Sequence, residues 1–155
     1  MNEIIFQESQ KFKQWWLWLI IIFTSIIIII SAVAAAVEYP STISTIVIVC
    51  SLFGVMGMIV LFYIMKLTTI ITREKISVQF YPILKREWNW SDLKMAKVID
   101  YGFVGGWGIR LWTGMGTVYN IKGSKGLHIK TDSKEYVIGS QKEEELRSSI
   151  AHLLK

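Results

Sequence analysis

The sequence holds one cysteine, Cys50, two histidines and two prolines among 155 residues. A single cysteine excludes an intrachain disulfide and a cysteine-based metal site. Cys50 lies inside an apolar run, where it reads as a small apolar residue. Charge is also scarce, at 19% of residues, against about a quarter in an average soluble domain. The scarcity is local: between residues 15 and 65 the only charged residue is Glu38. That distribution excludes an ordinary soluble globular chain and a disordered one.

What fills the uncharged stretch is aliphatic. Trp15–Val37 and Ile43–Met65 are each 23 residues without a formal charge, and Ile26 to Ile30 is unbroken isoleucine. A bilayer core about 30 Å thick needs roughly 20 apolar residues at about 1.5 Å rise each. Both runs are therefore expected to span a membrane. Between them Glu38-Tyr39-Pro40-Ser41-Thr42 leaves room only for a tight antiparallel hairpin. Pro40 stops the first helix, and Ser41, Thr42 or Ser44 is placed to cap the second. The first run exceeds the core of a cleavable signal peptide, and a second span follows it at once.

Lysine and arginine near the span ends set the orientation. The hairpin loop has none; Lys11 and Lys13 precede the first span, and Lys66, Arg73, Lys75, Lys85 and Arg86 follow the second. Both termini are expected in the cytoplasm, with the chain in a plasma (inner) membrane. Trp15, Trp16 and Trp18 mark one interface, and Phe62 and Tyr63 mark the return. Neither span holds an ionisable residue at depth, which argues against a proton or ion path. Ser31, Ala32, Ala35 and Ala36 form small-residue pairs four apart, suited to close helix packing and self-association but also common on lipid-facing helices.

From Lys66 the pattern changes period. Leu67–Thr72 is rich in β-branched residues, Arg73-Glu74-Lys75 is a polar turn, and Ile76–Tyr81 alternates strictly, which is a hairpin signature. Pro82 ends this second strand or sits on its edge. Further strands are predicted at Lys94–Tyr101, Gly108–Thr113, Thr117–Lys122, Gly126–Thr131 and Glu135–Gly139, separated by glycine- and aspartate-bearing turns. A helix closes the chain. Ser140 and Glu143 stand at capping-box spacing, and Leu146, Ile150 and Leu153 form one apolar stripe. The fold class expected is α+β: residues 1–14 an N-terminal cytoplasmic arm, 15–65 a transmembrane hairpin, and 66–155 a small antiparallel β-barrel or sandwich capped by the helix.

Four pieces occur in order: the hairpin Leu67–Tyr81, the turn Trp90-Ser91-Asp92-Leu93, the run Gly105-Gly106-Trp107-Gly108-Ile109-Arg110, and Ile138-Gly139-Ser140-Gln141. In this layout residues 66–154 resemble the pleckstrin-homology-like (PH-like) domains of small bacterial two-pass membrane proteins. The resemblance implies seven strands in two sheets with one packed helix, and an interaction role without attached chemistry.

The glycine run has two readings. A phosphate-binding loop is excluded by context, because there is no G-x-x-x-x-G-K-(S/T) and the run leads into a strand. A bulged, tightly turned start to a strand remains. Trp107 is expected in the core. Arg110 is expected to point away from it, toward a loop carbonyl, a carboxylate such as Asp100, or an anionic ligand.

Residues 66–155 carry 15 Lys plus Arg and 9 Asp plus Glu. Two accounts of Lys66, Arg73, Lys75, Lys85 and Arg86 stand side by side: docking on anionic lipid, and the positive-inside rule alone. In lipid-binding PH domains the head-group residues cluster at the first hairpin, so the resemblance makes the last four candidates. Their spacing departs from the phosphoinositide pattern and suits non-specific anionic lipid better. The charge is scattered over strands with no basic helix, which argues against nucleic acid. His128 and His152 have no partner at metal-ligand spacing, and neither a nucleophile motif nor paired carboxylates occur. No enzyme, cofactor or metal is expected. The expected function is a membrane-anchored module that binds a protein partner, itself or anionic lipid; the alternative is an accessory subunit of a transporter or channel.

Overall fold

The structure is a computed structural model and describes residues 3–153. It divides into two compact units, Phe12–Ile64 and the described residues on either side of that segment.

The first unit is a pair of helices, α1 (Trp15–Glu38) and α2 (Thr42–Ile64). Both are long and apolar enough to cross a membrane. The bounds differ by one residue from the sequence expectation, because Glu38 still continues α1 and the N–H of Tyr39 returns to the carbonyl of Ala35. Pro40 then breaks the chain. Ser41 caps α2: its hydroxyl accepts the Ser44 N–H at 3.2 Å. The helices meet along one seam, with Ile21, Ser25 and Ala32 of α1 buried and the other faces exposed. Ala32 and Ala36 lie toward the seam, while Ser31 and Ala35 are exposed. Phe12 and Phe62 meet edge-to-face, 5.9 Å between centroids, at the open end of the pair.

The second unit holds nine strands and a helix: β1 (Ile4–Lys11), β2 (Lys66–Thr72), β3 (Lys75–Tyr81), β4 (Leu84–Asn89), β5 (Met95–Asp100), β6 (Gly108–Thr113), β7 (Gly116–Asn120), β8 (Lys125–Lys130), β9 (Glu135–Gly139) and α3 (Glu143–Ile150). One sheet runs β1-β2-β3-β4 and the other β5-β8-β9-β7-β6. The predicted hairpin is β2–β3, with Leu67 opposite Phe80 and Thr69 opposite Val78. Its alternation buries Leu67, Ile71, Ile76, Val78 and Phe80 completely or nearly so. Each such side chain contributes about 1.5–3 kcal/mol. The second sheet buries Val98, Val118, Leu127, Ile129, Val137 and Ile138, and α3 adds Leu146 and Ile150. The two inner faces meet, with Trp88 of β4 and Tyr136 of β9 at 4.9 Å between ring centroids.

Three expectations are corrected. The segment read as an N-terminal arm is strand β1, paired antiparallel with β2 from Ile4↔Thr72 to Lys11↔Lys66. A further strand, β4, pairs with β3. The β7–β9 pair is parallel, because β8 returns the chain between them. The result is nine strands in two open sheets rather than seven antiparallel strands, and neither sheet closes into a barrel.

Candidate functional site

Strand β1 carries two polar side chains into the interior, Glu8 and Gln10, which are 6% and 4% exposed. The Glu8 carboxylate accepts the Ser140 hydroxyl at 2.6 Å and the Gln141 N–H at 3.0 Å. Gln10 donates from Nε2 to the Gly139 carbonyl at 2.8 Å and accepts from the Gln141 amide at 3.1 Å. The network ties the strand that precedes the helical hairpin to the β9–α3 junction. Buried polar groups need such partners.

The capping box is corrected by this network. Helix α3 begins at Glu143 with Lys142 at its N-cap. The Ser140 N–H is already donated to the Lys125 carbonyl, so Glu143 has no backbone donor to reach back to. The Ser140 hydroxyl instead accepts the Lys142 N–H at 3.0 Å while donating to Glu8. Glu143 bridges Lys125 and Arg147. Those bonds, Lys125 first, hold the Glu143 carboxyl below the usual carboxylate range and push Lys125 up.

The five basic candidates do not form one patch. Lys75 and Lys85 converge on Glu87, at 2.7 and 2.8 Å. Hydrogen bonds from Lys75 and then Lys85 lower the Glu87 pKa to about 2. Arg73, at the β2–β3 turn, pairs with Glu3 at 2.8 Å. Arg86 shares one side of β4 with Leu84 and Trp88, and its guanidinium lies 5.8 Å from the Tyr136 ring centroid. Lys66 lies 5.9 Å from the ring centre of Tyr81. Lys66 also stands opposite Lys11 in the β1–β2 register. This doublet sits where the chain leaves β1 for α1 and returns from α2 to β2.

The glycine run is a loop before β6. Gly105, Gly106 and Gly108 have φ of 79°, 134° and 104°, values that favour glycine. Trp107 is corrected: it is 38% exposed and meets Phe103 edge-to-face at 6.1 Å. It precedes the first paired residue of β6, Gly108, and lies between positive-φ glycines that turn it away from the core. Arg110 is half-buried, and its Nε is buried with no hydrogen-bond partner. Asp100 is engaged elsewhere, accepting the Gly102 N–H at 3.0 Å. That bond is the main reason its carboxyl lies below the usual range. The guanidinium of Arg110 rests against Gly106, where any Cβ would collide with it.

His128 is on the strand face opposite Leu127, half-buried and 3.1 Å from Glu135. No group of three or more potential metal ligands exists among the described residues. Sequence reasoning missed Glu8 and Gln10; the signal was the period-two alternation Phe6-Glu8-Gln10, with polar residues at two inward positions. No protein-family model, curated protein or solved structure matches the chain.

Proposed function

We propose that the chain is a membrane-anchored interaction module that presents its β domain at the cytoplasmic face of a plasma membrane to a protein partner. The observation that carries this reading is the Lys11↔Lys66 register. One strand runs into the first candidate span, the other comes out of the second, and the two are partners in one sheet. Both ends of the hairpin thus continue into one sheet, as an anchored module requires. Like charges directly opposite in a sheet are unfavourable. Anionic head groups beside Lys11 and Lys66 would offset that repulsion, at about 1 kcal/mol per basic residue near the surface. This is a positioning role for lipid. Pairing of Lys75 and Lys85 with Glu87 speaks against a single head-group patch on the first hairpin.

Two sheets with inner faces in contact and a C-terminal helix support the PH-like reading. The extra strands β1 and β4 and the parallel β7–β9 pair depart from that layout. Tethering raises the effective concentration of the domain toward membrane neighbours. The test is purification of the full chain in mild detergent with identification of co-purifying proteins. A stoichiometric partner that is lost when the β domain surface is altered supports the reading; a monomer without partners contradicts it. A second reading, an accessory subunit of a transporter or channel, draws on Gly54 and Gly57 of α2. Both face open space and permit close approach of another helix. In that case the partner stays bound when only the helical hairpin is retained.

A further inference from the structure

The Gly105–Arg110 loop is not used by the anchoring role, and it builds a cleft of its own. A cavity of about 510 Å³ opens between the β5–β6 loop and the β6–β7 turn. Tyr101, Phe103, Val104, Leu111 and Met115 supply most of its wall, and among the described residues Arg110 is the one charged residue lining it. Val104 and Met115 pack on the buried cluster of Tyr101, Val118 and Val137, so the floor is firm. Phe103 and Leu111 stand at the rim, 78% and 58% exposed. The volume falls within the range of small-molecule sites, which combine apolar walls with few oriented polar groups.

We infer that this cleft binds an anionic amphiphile: a phosphate or carboxylate head held by Arg110 and one alkyl chain laid along Val104, Met115, Leu111 and Phe103. Three observations carry it. Arg110 lines the cleft, and a guanidinium binds such heads through paired N–H donors. Gly106 lies directly under the guanidinium with no room for a Cβ, which fixes the cation in place. Among the described residues no carboxylate lines the cleft, so a bound anion meets no like charge from them. The inference is independent of the partner-binding reading, because it uses none of the residues on which that reading rests.

The test uses the full chain in phosphatidylcholine nanodiscs, titrated calorimetrically with octyl phosphate, octanol and inorganic phosphate, with empty nanodiscs as the blank. Saturable binding of octyl phosphate alone is expected. Arg110→Gln should lower its affinity at least about tenfold, the scale of a lost charged hydrogen bond. Phe103→Ser, at the exposed rim, should lower it about fivefold through lost apolar contact. Circular dichroism checks that both variants fold. Should Arg110→Gln not fold, Phe103→Ser decides alone. Unchanged octyl phosphate affinity in a folded variant overturns the proposal, as does equal binding of octanol or of inorganic phosphate. Nanodiscs containing phosphatidylglycerol identify the source. Weakened octyl phosphate binding there means that a bilayer lipid fills the site, and unchanged binding means a free amphiphile.

Discussion

The Ser140 hydroxyl donates to the Glu8 carboxylate across 2.6 Å, joining residues 132 positions apart in the chain. The bond is buried, and Gln141 and Gln10 complete it. Ser140→Ala should therefore destabilise the β domain by about 1.5–3 kcal/mol, the range for hydrogen bonds to charged groups. Glu8→Ala should cost more, since it leaves the Ser140 hydroxyl and the Gln141 N–H unpaired together. Thermal unfolding of the full chain in detergent, followed in the β-sheet region of the circular dichroism spectrum, measures both. A double-mutant cycle should show the two effects strongly non-additive.

Removal of the residues before Phe12 is a harsher version of the same change. It strips β1 from the sheet, bares the edge of β2 and leaves Gly139 and Ser140 without their partners. Exposed edges invite association. The shortened chain should aggregate or be digested rapidly by protease within the β domain, in limited proteolysis beside the full chain.

Gly116 and Gly123 form a matched pair. Their φ values are 82° and 85°, so alanine meets similar backbone strain at each, about 1–2 kcal/mol. A Cβ at Gly116 would also collide with the Glu135 carbonyl, whereas Gly123 faces open space. Gly116→Ala should lower stability clearly more than Gly123→Ala, and the difference in unfolding temperature isolates the close approach of β7 to β9.

Glu87 makes acid sensitivity local. Its folded pKa is lowered from 4.5 to about 2 by Lys75 and Lys85. A depressed carboxyl stabilises the fold above its unfolded pKa and loses that contribution as pH falls through the folded value. The stability advantage of the natural chain over Glu87→Gln should thus be full above pH about 4.5 and vanish toward pH about 2. Glu87→Gln also frees Lys75 and Lys85, so vesicles rich in phosphatidylglycerol should bind the variant more strongly at low salt.

Much of this fold was legible in the sequence where hydrophobic period and turn residues agreed. The β2–β3 hairpin, the strands β5 to β9 and α3 all follow apolar alternation or a helical stripe. Strands β1 and β4 were not legible, for a shared physical reason. The inward face of β1 is Phe6, Glu8 and Gln10, while along the corresponding side of β4 Trp88 is buried, Leu84 half-buried and Arg86 exposed. Polar residues on these sides erase the alternation, and only their partners across the fold explain them: Ser140 for Glu8, Gly139 for Gln10 and the Tyr136 ring for Arg86. The same holds for Ser140 and Glu143. Their spacing is local, but the Lys125 carbonyl that takes the Ser140 N–H comes from β8. Trp107 was misplaced because three positive-φ glycines reset the alternation that would have sent it inward.

The pairing of β1 with β2 puts the residues before and after the hairpin together, so the anchored-module proposal predicts that they share one side of the membrane, with the α1–α2 loop on the other. Single cysteines at Glu3, Ser41 and Ser133, each in a Cys50→Ala background, place all three with a membrane-impermeant maleimide. In intact cells Ser41→Cys should label, while Glu3→Cys and Ser133→Cys should label only after the membrane is permeabilised. Labelling of Glu3→Cys and Ser133→Cys from opposite sides, or of Ser41→Cys from the same side as Ser133→Cys, would contradict the anchored-module account.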